Sequence, residues 1–341
     1  MKKFVAKLAL ALLPLAVYFA VFVAFEPNNY FGLREDGNGN APIARLRAYQ
    51  QNPQVNIILG DSRMAHFDME LVDEVSGLSW SNVSYGGASL EESIDEFYYL
   101  YEQNPDLERV VFGLSFYTLN AAYRTVNRMS AVETQLENPA AYLFNLEYNI
   151  NTLTVIGDKL AGRPDVEETA EHTPDEYQEN GAPLPYRRDL IDYAATLYGN
   201  CAVSGALPER VYDEEGNLAN AAEMAEAMRE ATPAQSRFSI NTEALEKLLG
   251  MADFCAQHDI ALTIVLPPMD KSVRELVCEP LGIDDAMQPA LEALQDCGAQ
   301  LLDCEWENPP DWPDTMFYDG FHIDTVHGLP EWTRILFREV A

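Results

Sequence analysis

The chain has 341 residues, of which 48% are hydrophobic and 23% are charged, a composition that excludes bulk disorder. Acidic residues outnumber basic ones by 55 to 22, so the formal net charge is −33. Such a chain repels phosphate backbones and anionic lipid headgroups, which argues against nucleic-acid binding.

The N-terminal segment differs from the rest of the chain. Lys2, Lys3 and Lys7 precede an uncharged run over residues 8–25 that is long enough to cross the hydrocarbon core of a bilayer as a helix. The positions of the lysines predict a cytoplasmic N-terminus and an extracytoplasmic remainder. A cleavable signal peptide is the alternative, but the run is long for one and no clear cleavage site follows it.

We therefore expect three parts in chain order. Residues 1–29 would form a cytoplasmic tip and membrane anchor, and residues 30–53 a polar stalk. Residues 54–341 would form an extracytoplasmic domain that carries an insertion over residues 117–240.

Short apolar runs that stop at glycine, proline or polar residues predict buried strands, and helical patterns lie between them. This alternation predicts an α/β fold in which helices cover both faces of a parallel sheet, a three-layer α/β/α sandwich. The predicted strands cover residues 55–60, 78–84, 108–116, 261–268 and 299–304.

The insertion breaks this rhythm. It holds an acidic, proline-containing segment at 162–177, a turn at 213–217 and an alanine-rich helical pattern at 220–231. A connection of this length needs structure of its own, and we expect it beside the carboxyl edge of the sheet, where α/β proteins bind ligands. A lid and a scaffold or docking lobe are equally compatible with the pattern.

Five cysteines are too few and too irregularly spaced for a disulfide scaffold or a zinc site. One or two disulfides among Cys278, Cys297 and Cys304 stay open, whereas Cys255 lies on the apolar stripe of a predicted helix. Since no metal-ligand cluster, P-loop or dinucleotide motif occurs either, we predict no metal and no cofactor.

Candidate chemistry begins at Gly60-Asp61-Ser62-Arg63, where the first strand turns into a helix. The turn lifts the Ser62 hydroxyl onto the carboxyl edge of the sheet, beside backbone N–H groups that can stabilise an oxyanion. Taken alone, this tetrapeptide is weak evidence, because serine at a helix start is usually a cap.

Two further positions follow other strands. Gly87 comes after the second strand, where glycine allows a backbone N–H to approach a substrate oxygen. Asp319 and His322 precede the final helix, and a carboxylate three residues before a histidine can orient the imidazole as a general base. The combination with Ser62 carries more weight than any of these motifs alone.

This order of motifs resembles the SGNH/GDSL hydrolase superfamily over roughly residues 55–340, apart from the insertion. The resemblance implies that Ser62 is the nucleophile, His322 the general base and Asp319 the residue that orients it. It also implies an oxyanion hole formed by the N–H groups of Ser62 and Gly87.

The third motif departs from the family pattern. Where the family usually has G-x-N-D, this chain has Gly113-Leu114-Ser115-Phe116, so Ser115 replaces the oxyanion-binding asparagine. Asp61 and Arg63 flank the nucleophile as further candidates for oxyanion or substrate binding. Arg63 would hold an anionic substrate group or pair with nearby carboxylates.

The membrane helix, the altered third motif and the ending YDGFHIDTVHG look like the DltD-like cell-envelope acyltransferases. This resemblance implies an O-acyltransferase or esterase that acts on an acyl ester or envelope polymer, beside a polytopic membrane O-acyltransferase as its partner. A plain esterase and a non-catalytic binding or assembly partner remain as alternatives.

Overall fold

The computed structural model describes residues 2–33, 41–123, 125–162, 190–197 and 207–340. Each of the five predicted strands is present in a shortened form. The strands are β1 (Asn56–Leu59), β2 (Trp80–Asn82), β3 (Arg109–Gly113), β4 (Ala261–Leu266) and β5 (Gln300–Asp303). They form one sheet in the order β2-β1-β3-β4-β5, and every neighbouring pair is parallel. The predicted α/β class and parallel sheet are confirmed.

Helices connect the strands and also form most of the described part of the insertion. They are α1 (Lys2–Phe25), α2 (Pro42–Gln51), α3 (Met69–Ser76), α4 (Leu90–Gln103), α5 (Met129–Glu137), α6 (Pro139–Leu143), α7 (Leu146–Leu160), α8 (Leu190–Leu197), α9 (Ala221–Ala231), α10 (Thr242–Gln257), α11 (Lys271–Val273), α12 (Glu279–Leu281), α13 (Ile283–Gln295) and α14 (Gly328–Glu339). A π-helical turn, Arg274–Cys278, joins α11 to α12, and 3₁₀ turns occur at Ser62–Met64, Phe116–Leu119, Ala234–Ser236 and Asp314–Met316.

Both faces of the sheet are buried. Ile58, Val111 and Val265 belong to one apolar cluster with side chains of α3 and α14. The alternate residues Ile57 and Val110 point to the opposite face and are also buried, while α10 packs against β4 and α4. Apolar burial on both faces explains why the strands are continuous hydrophobic runs rather than alternating ones.

The chain divides into two compact units. One contains the described residues up to Asn52 together with those of 128–162, and the other contains the sheet and its helices. The predicted insertion 117–240 is therefore split between them rather than forming one lobe. Its predicted turn at 213–217 and helix at 220–231 are present, whereas nearly all of the acidic segment at 162–177 lies outside the described residues.

Within the N-terminal unit, α1 is long and apolar enough to cross a membrane. The segment predicted as a polar stalk at 30–53 differs from that prediction, because it contains α2. Ile43, Leu46 and Tyr49 of this helix are buried. A helix with such a face is a packed element rather than a solvated linker.

The four described cysteines are all free thiols. No disulfide links Cys278, Cys297 and Cys304 in this structure, and Cys255 is buried on α10, as its place on an apolar stripe predicts. Cys201 lies outside the described residues.

Candidate functional site

The two ends of the sheet-containing unit meet at Ser62. The Ser62 Oγ lies 2.8 Å from Nε2 of His322, although 260 residues separate them. On the other side of the ring, His322 Nδ1 lies 2.7 Å from Oδ2 of Asp319. This network assigns a proton to Nδ1, so that Nε2 accepts a hydrogen bond from the serine hydroxyl. The serine is only partly buried and His322 is 20% exposed, so a substrate can reach both groups.

Asp319 also shapes the loop that carries the histidine. Its Oδ1 accepts hydrogen bonds from the backbone N–H of Phe321 and of His322, at 3.1 and 2.8 Å. Gly320 between them has φ +86°, a conformation that favours glycine. The carboxylate therefore fixes the backbone of His322 as well as its ring.

Burial by itself raises the pKa of the Asp319 carboxyl. The hydrogen bonds and the charge of His322, with the Phe321 N–H, outweigh burial, and the net pKa lies below the ordinary value. Asp319 is therefore ionised at neutral pH and stabilises a positive charge on the imidazole.

The turn that carries Ser62 depends on two glycines. Gly60 has φ +143°, outside the range that other residues adopt easily. A Cβ on Gly60 would lie 2.8 Å from Cγ of Met64, and one on Gly113 would lie 2.1 Å from the same atom. The buried Met64 side chain thus fills the space that both glycines leave, which supports the turn from below.

The Arg63 side chain does not point to a substrate, which was one of its two predicted roles. Its side chain is 1% exposed and pairs with Glu305 through Nη1, at 2.8 Å. Its Nε donates to the carbonyl oxygen of Phe321 at 3.1 Å, and Nη2 donates to that of Pro267 at 2.6 Å. The pairing with a carboxylate, left open by the sequence, is the arrangement present here.

This set of bonds links the two halves of the site. Arg63 directly follows Ser62, and its acceptor Phe321 directly precedes His322. The guanidinium therefore connects the turn that carries Ser62 to the loop that carries His322, with a planar group that holds three acceptors at once.

Asp61 is also enclosed rather than directed at a substrate. Its Oδ1 accepts from the N–H of Arg63 at 3.1 Å, and its Oδ2 accepts from the hydroxyl of Tyr117 at 2.7 Å. Burial and the nearby charge of Asp61 raise the pKa of the Tyr117 phenol well above its usual value, so this hydroxyl stays a donor. Asp61 thus holds the turn in place, which differs from its prediction as a substrate contact.

Gly87 and Ser115 lie on the loops that follow β2 and β3. Gly87 is exposed and adopts φ +71°, and the N–H of Tyr85 in the same loop donates to the carbonyl oxygen of Gly60, two residues before Ser62. Ser115 is 2% exposed, and its hydroxyl oxygen is buried. The predicted role of Ser115 as an oxyanion donor therefore disagrees with its burial.

Two supporting residues, Glu305 and Tyr117, were missed from the sequence. Glu305 is two residues beyond the last strand, and the Asp303 carboxylate accepts its N–H. Burial raises the pKa of Glu305 to about 7, although the Arg63 guanidinium opposes this shift. A carboxylate after β5 or a tyrosine after β3 does not indicate a site residue in the sequence alone. Each becomes a candidate only when the strand order is known, because that order brings the two loops to one edge of the sheet.

Among the described residues, no group of His, Cys, Asp or Glu is arranged to hold a metal ion. The groups that the site brings together are the serine hydroxyl and an imidazole oriented by a carboxylate. No protein-family model matches the chain, and no curated protein sequence matches it either.

Proposed function

We propose that this protein is a serine-dependent acyl-ester enzyme of the SGNH/GDSL type with a three-layer α/β/α fold. The observation that carries the proposal is the 2.8 Å approach of Ser62 Oγ to His322 Nε2, with Asp319 on the far side of the ring. A nucleophile and base within hydrogen-bond distance, with the base oriented by a third group, are what acyl transfer requires.

In the proposed reaction, Ser62 Oγ attacks the ester carbonyl carbon while Nε2 of His322 takes the hydroxyl proton. The C–O bond to the leaving alcohol then breaks, and the imidazolium returns the proton to the departing oxygen. The acyl-serine is resolved by water or by an acceptor hydroxyl, which gives its own proton to His322. Asp319 stays ionised throughout and stabilises the imidazolium.

Oxyanion stabilisation would come from backbone donors. The N–H of Ser62 opens a 3₁₀ turn and has no intrahelical acceptor, and the SGNH resemblance implies that Gly87 supplies a second N–H. The enclosed Ser115 does not supply a third donor. Since losing one such donor costs about 10²–10³ in rate, we expect slow turnover of generic esters.

We further propose that α1 anchors the protein in the cell membrane with the active site on the extracytoplasmic side. An anchored enzyme of this kind would act on an envelope polymer as an O-acyltransferase or esterase. Its resemblance to the DltD-like group adds a polytopic membrane O-acyltransferase as the expected partner.

Labelling with a fluorophosphonate probe tests the proposal directly, because the probe bonds an activated serine and releases fluoride. We expect labelling of the full-length protein at Ser62, and none in Ser62→Ala or His322→Ala. His327→Ala is the matched control, since His327 makes a similar contact with Asp324 but bonds no serine among the described residues.

A non-catalytic binding or assembly partner is the second candidate, favoured by the burial of Ser115. If the folded wild-type protein never labels while a known serine esterase does under the same conditions, that role replaces the enzymatic one. Once labelling is established, product analysis with water and with polymer acceptors separates hydrolysis from transfer.

A further inference from the structure

Helix α7, in the N-terminal unit, has an apolar face that no described residue covers. Leu146, Ile150 and Leu153 are 75%, 53% and 56% exposed. At about 100° per residue, these three side chains lie within an arc of about 60° on the helix surface. Side chains of this size are rarely exposed side by side on a helix that faces only water.

A neighbouring face of the same helix is polar. Glu147, Asn151 and Thr154 are exposed, and the centre of this polar set lies about 100° around the helix from the centre of the apolar arc. The remaining face packs on protein, as the buried Thr152 shows. α7 therefore has one face that packs on protein, one polar face that suits water, and one exposed apolar face that suits neither water nor a described protein contact.

The contacts of α7 place this helix beside the candidate membrane span. Tyr18 of α1 donates a hydrogen bond to Asn149 of α7, and the rings of Phe19 and Phe144 meet edge to face at 5.1 Å. Tyr18 lies seven residues before the end of α1 at Phe25, a rise of about 10 Å. The first turns of α7 thus lie level with a point on α1 that is about 10 Å from its C-terminal end.

This position is fixed by the segment before α7. Tyr142 stacks on the ring of Tyr30 at a centroid distance of 4.0 Å and contacts Phe22 at 5.9 Å. Its hydroxyl donates to the buried carboxylate of Glu26 at 2.6 Å and accepts from Asn28 at 3.0 Å. The end of α1 and the start of α7 are therefore joined by a packed and hydrogen-bonded junction.

We infer that α7 is an interfacial membrane helix, whose apolar face inserts into the outer surface of the same bilayer that α1 crosses. A depth of about 5–10 Å is typical of amphipathic helices at the boundary between headgroups and acyl chains. The inference rests on the proposed anchoring by α1. Because α7 has acidic residues and only Lys159 as a base, its insertion depends on apolar burial rather than attraction to anionic lipid.

The test uses the full chain in phosphatidylcholine vesicles that contain an apolar photoactivatable diazirine label, with labelled residues mapped by mass spectrometry. We expect label on α1 and on Leu146, Ile150 and Leu153, several-fold above that on Glu147. Ile150→Glu/Leu153→Glu should abolish the label on α7, whereas Asn151→Glu/Thr154→Glu, on the polar face, should leave it unchanged.

Label on α1 without label on α7 overturns the inference and leaves the anchor standing, while absence of label from α1 overturns the anchor itself. Nanodiscs that hold a single chain exclude a second copy of this protein as the occupant of the apolar face of α7. Label on α7 in these nanodiscs supports the bilayer as the occupant of this face, whereas label on α1 alone there overturns the inference.

Discussion

Two Asp-x-x-His segments follow one another before α14, and they share a local geometry but differ in exposure and in the partner of the histidine. Asp319–His322 and Asp324–His327 both place a carboxylate oxygen on Nδ1, at 2.7 and 2.9 Å. His322 is 20% exposed and meets Ser62, whereas His327 is 63% exposed, and Asp324 accepts the backbone N–H groups that lead into α14. The comparison teaches that this spacing produces an oriented imidazole, while catalysis depends on what the far nitrogen meets.

The largest expected difference between the two segments is in reactivity. Asp319→Asn should lower the rate of fluorophosphonate labelling by up to about 10⁴, because an amide favours the wrong imidazole tautomer. Asp324→Asn should leave that rate unchanged and lower the free energy of unfolding by about 1 kcal/mol, through weaker bonds to the turn before α14. Labelling kinetics and chemical denaturation measure the two effects. Equal labelling rates in both variants would contradict the assignment of Asp319.

The first segment also differs from the second because Arg63, next to Ser62, donates a hydrogen bond to its Phe321 carbonyl oxygen. Arg63→Lys keeps a positive charge beside Glu305 but cannot hold three acceptors with a planar fork. We expect the maximal labelling rate to fall about 10–10²-fold, because small displacements of reacting groups carry costs of this size. The half-saturating probe concentration should change little, which separates positioning from loss of fold.

Arg334→Lys supplies the control, since Arg334 is 43% exposed and pairs only with its own helix among the described residues. A wild-type labelling rate in Arg63→Lys would show that the tie between the loops is irrelevant to reactivity.

Ser62, which contacts only the first of the two segments' histidines among the described residues, lies on a turn that packs against the Met64 side chain. In Gly113→Ala the new methyl would overlap Met64, so we expect a loss of about 1–3 kcal/mol in the free energy of unfolding. The cost in a Met64→Ala background should be smaller, because the overlap is removed. Denaturant titrations of the four proteins measure this coupling, and additive effects would exclude the proposed overlap.

The smallest effect concerns pH. The pKa of Asp319 is lower in the folded protein than its unfolded value of about 4, so the unfolded state binds more protons between these two values. The stabilisation from Asp319 is complete above the unfolded pKa and is lost as pH falls through the folded one. Unfolding measured at decreasing pH should therefore show a steeper loss of stability for wild type than for Asp319→Asn.

Several parts of this picture follow from sequence reasoning and others do not. Strand runs predict all five strands, because burial on both faces of a parallel sheet leaves a continuous apolar signature. The enclosure of Arg63 and Ser115 is absent from local sequence, since burial depends on loops from other strands. The packed α2 was missed for the same reason, because its partners are distant in the chain.

The sequence by itself determined the order of strands and helices, the apolar N-terminal helix and the residue types that carry the proposed chemistry. Secondary-structure preference and the spacing of apolar residues are properties of residues close together in the chain, so they can be predicted without a structure. Only the tertiary structure decided which charges are buried and which apolar face stays uncovered, and only it shows the contact between Ser62 and the predicted His322. Those outcomes depend on distances between segments far apart in the chain, and these distances are set by packing of the whole sheet and its helices.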